Sequence, residues 1–287
     1  MKDRPEAQLD SGKQLDSGTQ ESHRVDSSAP FIVGLVLLAS IYVVLIVVMI
    51  VADLGYLFFS SDGLDAFAAA LRSPEVRYAI GLSLLSCSLT TIFALWVSVP
   101  IGYLMSRFEF RGKAFIDTVL DIPIVLPPLV VGISLLILFR SVPEFLSDLV
   151  VFEVPAVILA QFAVACAFAV RTMRVTFEQI SQRYEQVAMT LGASRSQAFW
   201  SVVLPQTRRG MLAAATLAWA RALGEFGPIL VFAGATPMRT EVLPTTVFLE
   251  MQGGNLAGML AVSILMILLA AIVLTIARLF GLRRLNV

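Results

Sequence analysis

Long apolar runs dominate the chain, and short polar segments separate them. Several runs approach or exceed the roughly 20 apolar residues that a helix needs to cross a hydrocarbon core about 30 Å thick. They lie near residues 31–52, 79–105, 114–139, 149–170, 211–234 and 257–276. Because backbone groups in lipid must be satisfied internally, the pattern predicts an all-α polytopic membrane protein with about six transmembrane helices. The third and fifth runs are interrupted by prolines or charged residues.

The composition agrees with this reading and sets the amino terminus apart. The chain is 57% hydrophobic and 15% charged, with a mean hydropathy of +0.84, whereas a soluble domain is about 25% charged. Residues 1–30 are polar and have too few large apolar side chains to offset the entropy of ordering. We therefore predict a disordered cytoplasmic tail over 1–30 and a membrane domain over 31–287.

The residue types argue against several chemistries. The single histidine, His23, lies in the tail, so a protein-built metal site is not expected. Cys87 and Cys166 lie inside apolar runs and are predicted to be packed side chains rather than a disulfide. The phosphate-binding pattern G-x-x-x-x-G-K-[ST] is absent, so this chain is not expected to hydrolyse a nucleotide through such a loop. Basic and acidic residues balance at 21 each, which gives no indication of a nucleic-acid partner.

Residues 185–205, EQVAMTLGASRSQAFWSVVLP, form a mixed polar and apolar insert. Good helix formers precede Gly192, which can adopt a left-handed C-terminal cap. Ser194 lies three residues before Gln197, a capping-box pattern that begins a second helix. That helix is predicted to stop before Pro205. We call this predicted helix–turn–helix segment the elbow.

Basic residues predict the orientation of the chain. With the amino terminus inside, roughly three quarters of them fall in inside segments, including those that flank the elbow. The residues placed outside are Arg72, Arg77, Arg140 and Arg239. Both termini and the elbow are therefore expected in the cytoplasm.

The elbow resembles the EAA signature of ABC-importer permease subunits, since Glu185, Gly192 and the pair Leu204 and Pro205 fall at its spacing. In that family the elbow is the coupling helix that docks onto a cytoplasmic ATPase. The chain departs from the signature at Gln186, where the family has alanine. The alternative is an ordinary amphipathic loop helix. The resemblance assigns ATPase coupling to Glu185, Gly192, Ala193, Ser194, Leu204 and Pro205.

The third run contains a proline pair in its middle. Pro127 and Pro128 remove two backbone donors and bend the helix, and Gly132 lets another backbone come close. One interpretation is a broken helix that lines the translocation path. The alternative is a kink required only for packing.

The fifth run contains Arg221 and Glu225, four residues apart and thus on one helical face, where they can neutralise each other. The order, base before acid, is the less favourable one within a helix, which suggests partners on other helices. Gly224 and Ala220 form a small-xxx-small step suited to close crossing, and Gly227 with the following proline is expected to end or kink the helix. The functional interpretation is a dimer axis and gate, and the alternative is a buried structural ion pair.

Two stretches resemble molybdate and tungstate permeases: ARALGEFGPILVFAGATPMRT in the fifth run and LPPLVVG in the third. Sulfate permeases carry a close variant. The resemblance covers roughly residues 78–280, and Pro228 stands where alanine is more usual. It implies a type I ABC-importer permease fold in a bacterial or archaeal inner membrane. Sulfate transport by the same kind of importer remains the nearest alternative.

The resemblance also implies partners. They are a second copy of the chain, two cytoplasmic ATPases that bind ATP and magnesium, and a periplasmic or lipid-anchored oxyanion-binding protein. The permease itself would be non-catalytic and without a cofactor. An ion-coupled secondary transporter is a weaker alternative, because we find no repeat of broken helices and few intramembrane carboxylates.

Two further parts of the chain, the pair Asp117 and Asp121 and the stretch 235–255, lead to less specific predictions. Asp117 and Asp121 share one helical face and are either solvated or face an arginine. Residues 235–255 are expected to contain a short helix at the outer membrane surface, either a docking site for the delivery protein or a plain connection.

Overall fold

The computed structural model describes residues 29–59 and 63–283, and every regular element in these ranges is helical. Apart from its last two residues, the predicted tail lies outside the described residues. In chain order the helices are α1 (Ala29–Phe59), α2 (Gly63–Arg72), α3 (Pro74–Arg107), α4 (Lys113–Val125), α5 (Pro128–Arg140), α6 (Glu144–Val150), α7 (Val154–Glu178), α8 (Gln182–Thr190), α9 (Arg195–Ala198), α10 (Leu204–Gln206), α11 (Arg208–Leu223), α12 (Gly227–Phe232), α13 (Leu243–Gln252) and α14 (Leu256–Arg283). A π-helical turn, Phe199–Val203, joins α9 to α10.

The chain divides between Asp53 and Leu54 into two units. The first contains most of α1, a 31-residue helix whose apolar stretch is long enough to cross a membrane. The second contains the rest of α1 and all the other helices.

Within the described residues, four unbroken helices are long and apolar enough to span a membrane: α1, α3, α7 and α14. The third predicted run is instead two helices, α4 and α5, bent by 113° at the proline pair. The fifth run is divided as well, because α11 ends at Leu223 and α12 begins at Gly227. The two interrupted runs are thus broken helices.

The fourth run differs from its predicted bounds of 149–170. Phe152 adopts a positive φ of 60°, and Pro155 lies in the first turn of α7, where its missing N–H costs nothing. The helix starts at Val154 for these reasons. It continues to Glu178 because Arg171 and Arg174, which the apolar pattern excluded, face acidic partners on α4.

The core forms around α3 and α7, which run side by side in the same direction. Thr90 contacts Ile158 near one end of the pair, and Gly102 lies against Met173 and Arg174 near the other. Small residues fill the contact, which allows the close helix approach that packing in lipid favours. The buried ones include Cys87, Ala94, Ala156, Ala160, Ala165 and Ala169. Cys87 and Cys166 are both free thiols.

Gly102 provides a test of this packing. A Cβ at Gly102 would lie 2.9 Å from the Arg174 nitrogen and 2.9 Å from the Met173 Cβ, whereas a Cβ at Gly81, on the same helix, meets nothing within 4 Å. We expect Gly102→Ala to lower the free energy of unfolding by about 1–3 kcal/mol. Gly81→Ala should be neutral or stabilising by up to about 1 kcal/mol. Thermal unfolding of the two variants in detergent measures the difference, and equal midpoints would contradict the packing described here.

Candidate functional site

The first half of the elbow folds as its sequence predicts. Helix α8 ends at Thr190, and Gly192 adopts a positive φ of 94°. The Ala193 N–H donates to the Ala188 carbonyl over 3.1 Å, which satisfies a carbonyl of the last turn. Ser194 and Gln197 then form the predicted capping box, with bonds of 2.8 and 3.2 Å.

The second half of the elbow corrects one prediction. The helix does not stop before Pro205, because the chain passes through the π-helical turn and continues as α10 with Pro205 in its first turn. The Leu204 N–H bonds to the Phe199 carbonyl, five residues back. This wider turn shifts the hydrogen-bond register before the proline, whose ring would clash with a regular α-helix.

Glu185 lies at the root of the elbow and is buried. Its Oε1 accepts a 2.7 Å hydrogen bond from the Tyr103 hydroxyl near the end of α3. The Nε atoms of Arg107 and Arg195 lie 3.8 and 3.9 Å from the carboxylate. Arg107 also donates to the Ile180 carbonyl just before α8, over 2.8 Å. The predicted coupling residue therefore fixes the elbow to α3 rather than facing outward.

The elbow has a buried side and an exposed side. Phe199 and Val203 of the π turn pack with Met173 and Phe177 of α7, and the Phe199 ring centroid lies 4.7 Å from that of Tyr103. On the outer side, large apolar side chains remain exposed within the described protein. They are Tyr184, Val187, Leu191 and Trp200.

The two broken helices meet each other. A Cβ at Gly132 of α5 would lie 2.9 Å from the Pro228 Cα, and a Cβ at Gly227 would lie 3.0 Å from the Pro128 Cβ. The contact is thus reciprocal, with a glycine of each helix against a proline of the other. We call Pro127, Pro128, Gly132, Gly224, Glu225, Gly227 and Pro228 the break cluster. The prediction that Gly132 admits another backbone is confirmed.

The break in the fifth run lies earlier than the sequence predicts. Helix α11 ends with Gly224 as its C-cap, and Gly227 begins α12 instead of ending a helix. Pro228 occupies the first turn of α12, where proline is well tolerated. A Cβ at Gly224 would contact only carbonyls of its own helix, at 3.8 Å or more. The predicted close crossing at Gly224 is therefore not formed within the described residues of one protomer.

Arg221 and Glu225 pair with each other. The Arg221 Nη2 lies 2.7 Å from Glu225 Oε1. The two groups form an ion pair, but they are not aligned for a hydrogen bond. Glu225 is 1% exposed, and the Arg221 guanidinium also lies over the Phe168 ring of α7 at 5.6 Å. The expectation of separate partners on other helices is wrong for Glu225 among the described residues. The two residues pair at the i, i+4 spacing that places them on one face.

Asp117 and Asp121 of α4 face arginines of α7. Asp121 Oδ2 lies 2.8 Å from Arg171 Nη1, and Asp117 pairs with Arg174, which also bonds Glu178 over 2.9 Å. No side chain of α4 is buried. These ion pairs link α4 to α7, and they line a cavity of about 270 Å³ with the end of α7.

The opposite end of the α3–α7 pair contains Arg239, one of the residues that were predicted to lie outside. The Tyr78 hydroxyl donates to the Arg239 carbonyl over 2.9 Å, and Arg239 pairs with Glu153, which raises the pKa of the arginine. Helix α13 is the short helix expected in 235–255, and it packs on the bundle through Leu243. Burial raises the pKa of Glu241, against an opposing hydrogen bond from the Thr246 hydroxyl.

Sequence reasoning missed Tyr103, Arg107 and Gln161. Tyr103 and Arg107 lie in the last turns of α3, and no local pattern in the sequence marks either as a partner of Glu185. Gln161 had a clear signal, since it is the one amide side chain in the apolar stretch 154–170. A polar side chain at that depth is costly unless it serves a contact.

Membrane-length helices, two broken helices that meet each other and a two-helix elbow at one end define the membrane component of a transporter. Residues 98–286 match the family of binding-protein-dependent transport system inner membrane components. The match spans more than half of the chain, and the chain belongs to this family. It is accordingly a multi-pass inner-membrane protein of the transport class.

Curated relatives carry more specific names. The chain is 35% identical over 177 residues to the molybdate/tungstate permease WtpB of Pyrococcus abyssi, covering 61% of this chain and 68% of the relative. It is 34% identical over 215 residues to the molybdenum permease ModB of Escherichia coli K12, covering 72% and 93%. It is 32% identical over 189 residues to the sulfate permease CysT of the same organism, covering 63% and 68%.

A solved structure has the same fold. The crystal structure of a bacterial ABC transporter involved in alginate import contains a chain that matches with a TM-score of 0.73 at 18% identity. The match covers 91% of this chain and 98% of the other. At that identity the likeness concerns the fold, and it confirms the predicted ABC-importer permease fold.

Proposed function

We propose that this chain is the permease subunit of an ATP-driven importer for a tetrahedral oxyanion, molybdate or tungstate. The observation that carries the proposal is the 34% identity over 93% of the length of a molybdenum permease. The resemblance of the fifth run, around LGEFG, supports the same substrate class.

The proposed assembly contains a second copy of this chain, two cytoplasmic ATPases and a periplasmic or lipid-anchored oxyanion-binding protein. A related structure supports the last of these, since a matching bacterial alginate transporter was solved in complex with a pentasaccharide-bound periplasmic protein. ATP and magnesium would bind the ATPases. The distribution of basic residues supports cytoplasmic termini and a cytoplasmic elbow.

In this proposal the elbow couples the ATPase to the membrane helices. Its exposed apolar side chains suit a groove on the ATPase, while its inner side is fixed to α3 and α7 by Glu185 and Phe199. A movement of the elbow therefore moves the ends of both core helices as a rigid body. Gly192, Ala193 and Ser194 hold the angle between the two halves, and Leu204 and Pro205 join the elbow to α11.

The break cluster would form the gate. The reciprocal contacts of Gly132 with Pro228 and of Gly227 with Pro128 couple α5 to α12, so the two broken helices shift together. Arg221 and Glu225 neutralise each other next to the break, which lowers the cost of charge at membrane depth.

The proposal is tested with the complete complex in proteoliposomes that contain ATP, the ATPase and the binding protein. We expect ATP-dependent uptake of molybdate and tungstate, and tight binding of both anions by the binding protein in a titration. Uptake of sulfate alone would replace the substrate with the second candidate, which the identity to CysT favours. Absence of ATP-dependent uptake of all three anions would contradict the proposal.

The elbow angle gives a second prediction. Gly192→Ala strains a φ of +94°, which costs an L-residue about 1–2 kcal/mol, and should uncouple ATP hydrolysis from uptake. Gly112→Ala is the matched control, since Gly112 has a φ of +90° and also meets nothing within 4 Å. Gly192→Pro, which cannot adopt a positive φ, should leave an inserted but uncoupled subunit. We measure ATP hydrolysed per anion imported, and an equal ratio in the Gly192→Ala and Gly112→Ala variants would contradict a coupling role for the elbow.

A further inference from the structure

Gln161 lies about two turns from the start of α7 and is 1% exposed. It is the only amide side chain between Val154 and Val170. In an apolar environment such a side chain is stable only when its donor and acceptor are both occupied. Its partners therefore indicate what it does.

The amide joins three helices. Its Oε1 accepts a 3.2 Å hydrogen bond from the Thr90 hydroxyl of α3. Its Nε2 donates to the Ala222 carbonyl of α11 over 3.2 Å and lies 3.7 Å from Cys87 Sγ. Thr90 also contacts the Ile158 carbonyl, one turn before Gln161 on α7. The amide orientation is thus fixed from the α3 side and its N–H₂ is directed at α11.

The Ala222 carbonyl belongs to the last turn before the break. A regular helix would give it the N–H of Phe226, but α11 ends at Leu223. Instead it receives the Glu225 N–H over 3.2 Å in a tighter turn, together with the Gln161 amide. Helix ends leave carbonyls without intrahelical donors, and inside a membrane these must be satisfied by other groups.

We propose that Gln161 is a positioning residue of the gate. Its side chain fixes the position of the α11–α12 break relative to α3 and α7. This inference rests on the proposed function. Movement of α7 at the elbow reaches the break through this amide, and the break carries α5 with it through Gly227 and Pro128. Ala222 and Gly227 are five residues apart, so the amide acts next to the glycine–proline contact.

The test uses Gln161→Met, which keeps the length of the side chain and removes both hydrogen bonds. In the complete reconstituted complex we expect the anion imported per ATP hydrolysed to fall about tenfold, the scale for loss of a buried hydrogen bond. The KM for uptake should remain that of wild type, because the substrate is delivered by the binding protein. Thr90→Val removes the hydrogen bond to Gln161 Oε1 but leaves the amide and its bond to the Ala222 carbonyl. It should cause a smaller fall of about threefold.

Thr91→Val is the matched control, because the Thr91 hydroxyl bonds within its own helix, to the Cys87 carbonyl over 2.7 Å. It should leave the ratio of transport to hydrolysis unchanged. An unchanged ratio in Gln161→Met, or an equal fall in Thr91→Val, would overturn the inference. If Gln161→Met does not assemble, an unchanged ratio in Thr90→Val would overturn it. A wild-type complex without uptake would instead defeat the proposed function itself.

Discussion

Replacement of Glu185 by alanine is expected to abolish uptake while the complex still hydrolyses ATP. The substitution leaves Arg107, whose side chain is 6% exposed, without its nearest carboxylate, and removes the acceptor of the Tyr103 hydroxyl. Removing one member of a buried pair costs about 3–5 kcal/mol, and the lower end applies because the nitrogen–oxygen distances of 3.8 and 3.9 Å are long. The elbow would then lose its fixed angle to α3. Parallel assays of uptake and ATP hydrolysis, with thermal unfolding, measure the effect.

Two milder variants separate the charge from the hydrogen bond. Tyr103→Phe removes only the hydroxyl and should cost about 1 kcal/mol with partial loss of coupling. Glu185→Gln retains an acceptor for Tyr103 but removes the charge beside Arg107 and Arg195. We expect the loss of coupling to be largest in Glu185→Ala. Wild-type uptake in Glu185→Ala would show that the elbow does not depend on this anchor.

Alanine at Gly132 or at Gly227 is expected to reduce uptake by at least about tenfold. A Cβ at either position would meet a neighbouring helix at 2.9 to 3.0 Å, and at Gly132 these atoms are the backbone of Pro228. Backbone atoms cannot move away as a flexible side chain does, so α5 and α12 must separate, at a cost of about 1–3 kcal/mol. A change of about 1.4 kcal/mol is a factor of ten in an equilibrium between gate states.

Gly224→Ala is the control for the gate series. Gly224 belongs to the same cluster, yet a Cβ there would contact only carbonyls of its own helix at 3.8 Å or more. It should keep most of the uptake. A loss as large as that of Gly132→Ala would contradict the packing argument and would favour the original interpretation of Gly224 as a close contact of the dimer.

The elbow was predictable in detail because its signals are local. A left-handed glycine and a capping box act over three or four residues, and both form as expected at Gly192 and Ser194. The predicted end of the second helix was wrong, because a π-helical turn accommodates Pro205 and no local pattern indicates that turn. The inward orientation of the Glu185 side chain could not be predicted from the sequence either, because its partner Tyr103 lies 82 residues away.

The break cluster was predictable in composition but not in arrangement. The proline pair and the Gly224–Pro228 stretch were each recognised as interruptions of a span. That Gly132 meets Pro228 and Gly227 meets Pro128 depends on how two distant segments pack. The i, i+4 spacing of Arg221 and Glu225 already allowed their pairing, whereas the helix end at Leu223, one turn earlier than the proline indicated, was not predicted.

The sequence alone determined the all-helical membrane class, the two interrupted runs, the elbow and the resemblance to oxyanion permeases. These follow from apolar run length, from proline and glycine chemistry and from motif spacing, all of which act within one segment. Only the tertiary structure decided that Glu185 faces inward, that the two broken helices meet, and that Gln161 supports the end of α11. Those contacts join residues far apart in the chain, and in lipid their geometry is set by close packing and by the need to satisfy every polar group.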